Sequence, residues 1–167
     1  MIQIKNAAEL QKMRKACAIS AAALKAGGEA IEPGITTAEI DKIIYDFIVR
    51  HGARPNFLHL YGFPATACIS VNDTVIHGIP NKQQQIRPGD IVSIDTGCKI
   101  DGFNGDNACT YACGKIDLEA QRLLDVTKES LHRGIEMACG GNRVGDIGHA
   151  VQSYVCLLYT SPSPRDL

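Results

Sequence analysis

The chain has 167 residues, 45% of them apolar, and 17 lysines and arginines against 18 aspartates and glutamates give it a formal net charge of −1. That length suffices for about one domain burying roughly 70% of its unfolded surface. The near-neutral balance, with basic residues spread along the chain, speaks against sequence-specific nucleic-acid binding, and no apolar run reaches the ~20 residues of a membrane span.

The N-terminus, MIQIKNAAELQKMRKAC, lacks the apolar segment and cleavage site of a secretory leader, so a cytoplasmic location is expected. Asn6 with Glu9 three residues later forms a capping-box pattern, and Ala-rich sequence with apolar residues at helical spacing predicts a helix from Asn6 to about Ile31, ended by Pro33-Gly34. Thr36 and Glu39 repeat the pattern and open a second helix with Ile40, Ile43, Ile44, Phe47 and Ile48 on one face, stopped by Gly52. Ala53 to Pro64 is irregular and apolar, either a packed surface loop or the wall of an apolar pocket. Thr66–Val71 reads as a strand, Asn72-Asp73 as a turn and Thr74–Ile76 as a short partner strand. His77 follows, either a surface histidine or one presented to a cleft by a backbone turn. Asn81–Arg87 is a polar loop, and Arg87-Pro88-Gly89-Asp90 a turn.

The segment from Asp90 to Gly114 carries most of the information. It reads as two strands, Ile91–Ile100 and Phe103–Cys113, joined by Asp101-Gly102, a pair suited to a type I′ hairpin turn in which both central residues take positive φ. With that turn Ile100 faces Phe103 and Gly97 faces Asp106, so Asp95 and Asp106 become diagonal neighbours on one face, with Cβ atoms about 7 Å apart or less. That spacing is too wide for a shared proton but suits two acids bridged by cations, whose charge would relieve the cost of unpaired carboxylates on an apolar hairpin. A lone Asp in a strand is ordinarily a solvated outer-face residue; the pairing with a second acid argues otherwise. The seven cysteines contain no CxxC pair and are expected to act as small buried hydrophobes rather than in disulfides or a structural zinc site, with Cys109 facing away from the acids.

Beyond the hairpin, Asp117 caps a helix running to Met137 with Leu123, Leu124, Val126 and Leu131 facing inward, and a further helix runs from Val144 to about Val155 with His149 as a structural or exposed residue. The last residues, CLLYTSPSPRDL, have no periodicity and read as a non-native tail, leaving residues 1–155 as the structured part and 156–167 outside it.

The segments PGITTAEID, ACISVNDTVIHGIP, RPGDIVSIDTG and DGFNGD, in this order, resemble the methionine aminopeptidases of the bacterial type I group over approximately Ile2 to Val155. The resemblance implies an α/β (α+β) "pita-bread" fold, a curved antiparallel sheet backed by helices, of which this chain holds the N-terminal part. It implies a pair of divalent metal ions, cobalt, manganese, iron or zinc, bound by Asp95 and Asp106, with Asp106 bridging the two and Asp95 holding one. It implies a catalytic and substrate-binding role for His77 near the scissile bond. Cys68 and Phe63, with Phe57 and Leu60 less well matched, line the pocket for the methionine side chain. The reaction implied is removal of the initiator methionine from nascent proteins through metal-activated hydroxide, with their N-terminal peptides as partners, the ribosome as a further partner, and a monomeric enzyme away from membranes. A further histidine ligand, two glutamate ligands and a second substrate-contacting histidine belong to the family's later part and map to nothing here, so this chain is expected to be an incomplete, inactive piece prone to aggregate. The other readings are a prolidase-like Xaa-Pro peptidase, a non-catalytic pita-bread binding protein, and a small metal-free interaction domain. A preceding N-terminal domain would mark the prolidase-like reading.

Overall fold

Four antiparallel strands and two helices make up the larger part of the protein, shown by a computed structural model that describes residues 3–158. The chain divides into two compact units, Met1–Ile116 and Asp117–Leu167. In the first, α1 (Ala7–Glu29) starts at Asn6, whose side chain accepts from the Glu9 N–H while the Glu9 carboxylate accepts from the Asn6 N–H, closing the predicted capping box. α2 (Thr37–Arg50) is capped in the same reciprocal way by Thr36 and Glu39. Between the helices and the long hairpin lie two short strands, β1 (Arg54–Pro55) and β2 (Ala67–Val71). The hairpin is β3 (Ile91–Ile100) and β4 (Phe103–Ala112).

The register is the expected one. Ile100 faces Phe103 and Gly97 faces Asp106, with Asp101 at φ 51° and Gly102 at φ 85°, both central residues on the positive side that a type I′ turn requires. β1 and β2 both pair with β3, Arg54 opposite Lys99 and Ala67 opposite Thr96, so β3 is the central strand with β4 on its other side.

The helices cover one face of this sheet. Val92, Ile94 and Cys98 of β3 and Ala67 and Ile69 of β2 are fully buried with Ile40, Ile44 and Ile48 of α2 and Ala23 of α1. Glycines set how closely α1 lies on the sheet: a Cβ on Gly105 would stand 2.3 Å from the Ala16 carbonyl oxygen, and one on Gly28 would stand 2.2 Å from the Tyr111 ring. Helix and hairpin thus meet backbone to backbone, and the Ser20 hydroxyl reaches the Thr96 carbonyl at 3.2 Å.

Three expectations need correcting. Thr74–Ile76 is not a strand: Val75 and Ile76 are exposed, and the backbone that closes on β2 is that of Gly78, whose carbonyl accepts from the Ile69 N–H at 2.9 Å. The last helix, α4 (Val144–Leu158), continues past Val155 to Leu158, whereas residues 159–167 of the expected tail lie outside the described residues. In the second unit α3 (Leu118–Glu136), capped by Asp117, buries the narrow seam Val126, Ser130 and Gly134, spaced by four. Leu123 and Leu131 are exposed rather than inward, because two helices packed together enclose only one such stripe. A Cβ on Gly134 would meet Val151 at 2.9 Å, and Arg133 stacks 3.9 Å over the Tyr154 ring, fixing α3 against α4. His149 is exposed, as expected.

Candidate active site

The sheet face turned away from the helices carries the acids. Side chains alternate along a strand, so with Val92, Ile94, Thr96 and Cys98 buried under the helices, Ser93, Asp95 and Gly97 lie on the opposite face. β4 contributes Asp106, Ala108 and Thr110 to that face, and the Ser93 and Thr110 hydroxyls bond across it at 2.8 Å. β2 adds Cys68, directly opposite Asp95, and Ser70, opposite Ser93. Cys109 falls on the helix side, away from the acids.

The two aspartates stand as diagonal neighbours on this face, Asp106 opposite Gly97 and Asp95 opposite Ala108, near enough for each to feel the other's charge. Burial raises the Asp95 carboxyl above the ordinary aspartate range, the negative charge of Asp106 raises it further, and His77 pulls it back. Beside them the Cys68 thiol is pushed up to about 11, first by burial and then by the charges of Asp95, Asp106 and Asp41, so it stays protonated at neutral pH.

A cavity of about 490 Å³ opens at this face, and its wall includes Phe57, Leu60, Tyr61, Phe63, Pro64, Cys68, His77, Ile79 and Asp95. Phe57 and the 60–64 stretch of the irregular segment supply one wall of it, while Leu60 and Tyr61 also remain exposed. Gly97 admits that wall: a Cβ there would lie 3.2 Å from the Asn56 side chain and 3.3 Å from the Phe57 ring, and the Asn56 N–H donates to the Gly97 carbonyl at 2.9 Å. His59 and Tyr61 turn the loop at φ 69° and 50°, values uncommon for residues with a side chain.

Sequence reasoning passed over Asp41. Its carboxylate, on α2, accepts from the Thr66 N–H at 2.9 Å and the Ala67 N–H at 2.8 Å, fixing the chain just before Cys68. Burial nonetheless raises its pKa against those two bonds. An aspartate on a solvent-seeking helix face gives no sequence signal of such a role.

A half-buried carboxyl on Asp95 beside the exposed one on Asp106 suits a hard divalent cation, which would offset both the burial and the repulsion that raise Asp95. Among the described residues no group of three or more His, Cys, Asp and Glu side chains is arranged to hold a metal ion. The aspartate pair thus fits a cation as part of a ligand set.

Residues 11–159 match the profile of metallopeptidase family M24. The chain belongs to metallopeptidase family M24. The M24 chain is similar to the methionine aminopeptidase of Clostridium perfringens, with 48% identity over 93% of this chain and 62% of that protein, and to that of Clostridium acetobutylicum, with 46% identity over the same shares. The crystal structure of the methionine aminopeptidase from Thermotoga maritima superposes with a TM-score of 0.91 at 36% identity, covering 95% of this chain and 64% of that one. The M24 fold is accordingly the pita-bread arrangement expected from the sequence. The chain spans about 62% of the length of the curated relatives it matches. No helix among the described residues is long and apolar enough to cross a membrane.

Proposed function

We propose that this chain carries the two-aspartate part of a methionine aminopeptidase centre, with Asp95 and Asp106 as metal ligands and removal of an N-terminal methionine as the reaction of the completed centre. The observation that carries the proposal is the placement of the two aspartates as diagonal neighbours on one sheet face, with Asp95 in the wall of an apolar cavity. The names of the two clostridial relatives support the substrate class.

When bound, divalent ions supply a Lewis acid and a source of hydroxide at neutral pH, and carboxylate ligands suit manganese, iron(II), cobalt or zinc. Asp95 and Asp106 would hold such ions and offset their charge. His77, within electrostatic reach of Asp95, donates a hydrogen bond to the substrate near the scissile amide. Phe63, Phe57 and Leu60 exclude water around an apolar side chain, and the protonated Cys68 thiol offers that side chain a neutral, polarizable contact rather than a charge. An apolar pocket selects a thioether over a charged group because desolvating charge there is costly.

Two carboxylates alone hold metal weakly, so the 167-residue chain by itself binds divalent ions without turning substrate over. Nascent-chain termini are the substrates of the completed enzyme, which works as a cytoplasmic monomer at the ribosome. The test is to supply the relatives' remaining length to this chain and measure methionine released from a Met-Ala-Ser peptide with added manganese or cobalt. Release that is lost in Asp106→Asn supports the proposal; a folded, metal-loaded protein that releases none, or that cleaves an Xaa-Pro peptide instead, overturns it.

A further inference from the structure

Ser70 occupies the same sheet face as Cys68 and Asp95 and is 4% exposed. Its hydroxyl oxygen accepts from the Gly78 N–H at 3.1 Å, while the Gly78 carbonyl accepts from the Ile69 N–H at 2.9 Å. Both polar atoms of the Gly78 peptide unit are thereby tied to consecutive residues of β2. The approach is so close that a Cβ on Gly78 would stand 2.1 Å from the Ile69 carbonyl oxygen and 2.9 Å from the Ser70 Cα.

The residue before this clamp is His77, held at φ 58°. That left-handed conformation is uncommon for a residue with a side chain and persists only where the surroundings impose it. Among the described residues no hydrogen bond reaches the His77 ring, so the backbone decides where the imidazole stands. Upstream, Val75 and Ile76 are 93% and 61% exposed and pack little, leaving the segment pinned at the Thr74 N–H to Val71 carbonyl bond, 3.1 Å, and at Gly78.

We infer that Ser70 is a positioning residue for His77: its hydroxyl holds the Gly78 peptide down on β2, and that clamp turns the His77 imidazole toward the two aspartates. This rests on the functional reading above only in that His77 serves the reaction. The hydroxyl is what matters, so threonine should replace serine and alanine should not.

The test uses the full 167-residue chain, labelled with nitrogen-15 at backbone and histidine rings, with manganese(II) as the probe. In the wild type and in Ser70→Thr, manganese should broaden both the Cys68 amide and the His77 ring signals. In Ser70→Ala the Cys68 amide should broaden as before while broadening of the His77 ring falls several-fold, and in the metal-free protein the His77 and Gly78 amides should become markedly more mobile. Gly78→Ala, whose methyl would collide with the Ile69 carbonyl oxygen and so part the loop from β2 while keeping the Ser70 hydroxyl, should reproduce both changes if Ser70→Ala does not fold. Undiminished His77 broadening with unchanged amide mobility in either folded alanine variant overturns the inference. Absence of broadening at Cys68 in the wild type instead counts against the metal reading, and the amide mobilities then decide the Ser70 question alone: a rise supports it and no change sinks it.

Discussion

Asp95 carries the energetic cost of this site. Its carboxyl is half buried, faces Asp106, and has a pKa raised above its unfolded value, so the native state binds the proton more tightly than the unfolded one. In the metal-free chain the stability tied to Asp95 is therefore fully present below the ordinary aspartate pKa and lost as pH rises through the raised native value. Thermal melts of the metal-free protein should show it, with the melting temperature falling over that window and Asp95→Asn flattening the fall and melting higher at neutral pH. A wild type that gains stability across the window, or a less stable Asp95→Asn, would contradict the assignment. Asp95 and Asp106 were legible in the sequence because one dipeptide, Asp101-Gly102, sets the register of the whole hairpin. Asp41 and Ser70 were not, since each acts on backbone N–H groups brought to it by the fold, and a backbone donor leaves no mark in a side-chain pattern.

The elements hold the site by the contact of two helices with the far face of the sheet. Ile44 of α2 is fully buried in that layer and meets α1 at Gly27, where a Cβ would stand 2.7 Å from its side chain. Ile44→Ala should cost about 2–5 kcal/mol in a urea melt. Asn6→Ala, which removes only a helix cap, should cost about 0.5–2 kcal/mol. Comparable losses for the two would mean that the helix layer is not the core it is described as. Both capping boxes could be read directly, as local patterns of four residues. Thr74–Ile76 misled because a short apolar run after a turn need not lie along the neighbouring strand; the contact with β2 went to Gly78, where a Cβ would stand 2.1 Å from the Ile69 carbonyl oxygen. The turns at His59 and Tyr61 were equally invisible, since a positive φ at an isolated non-glycine residue leaves no pattern in the surrounding sequence.

At the scale of the molecule, apolar surface is left open. In the second unit Leu131 and Ile135 are 59% and 58% exposed and Val144 is 86% exposed, more than helices of a soluble monomer commonly leave bare. Concentration-dependent light scattering should reveal self-association, and Leu131→Lys with Ile135→Lys should reduce it without altering the sheet unit's melt; equal scattering from wild type and variant would contradict this. The family, the sheet with its helical backing and the aspartate pair all came from within residues 11–159, the stretch that matches M24.

The central claim is that Asp95 and Asp106 together hold a divalent ion, and calorimetric titration of manganese(II) into the 167-residue chain tests it most directly. The account predicts saturable binding in the wild type that disappears in Asp106→Asn and in Asp95→Asn while both variants remain folded. Binding of undiminished strength in either folded variant, or none in the wild type, would contradict it.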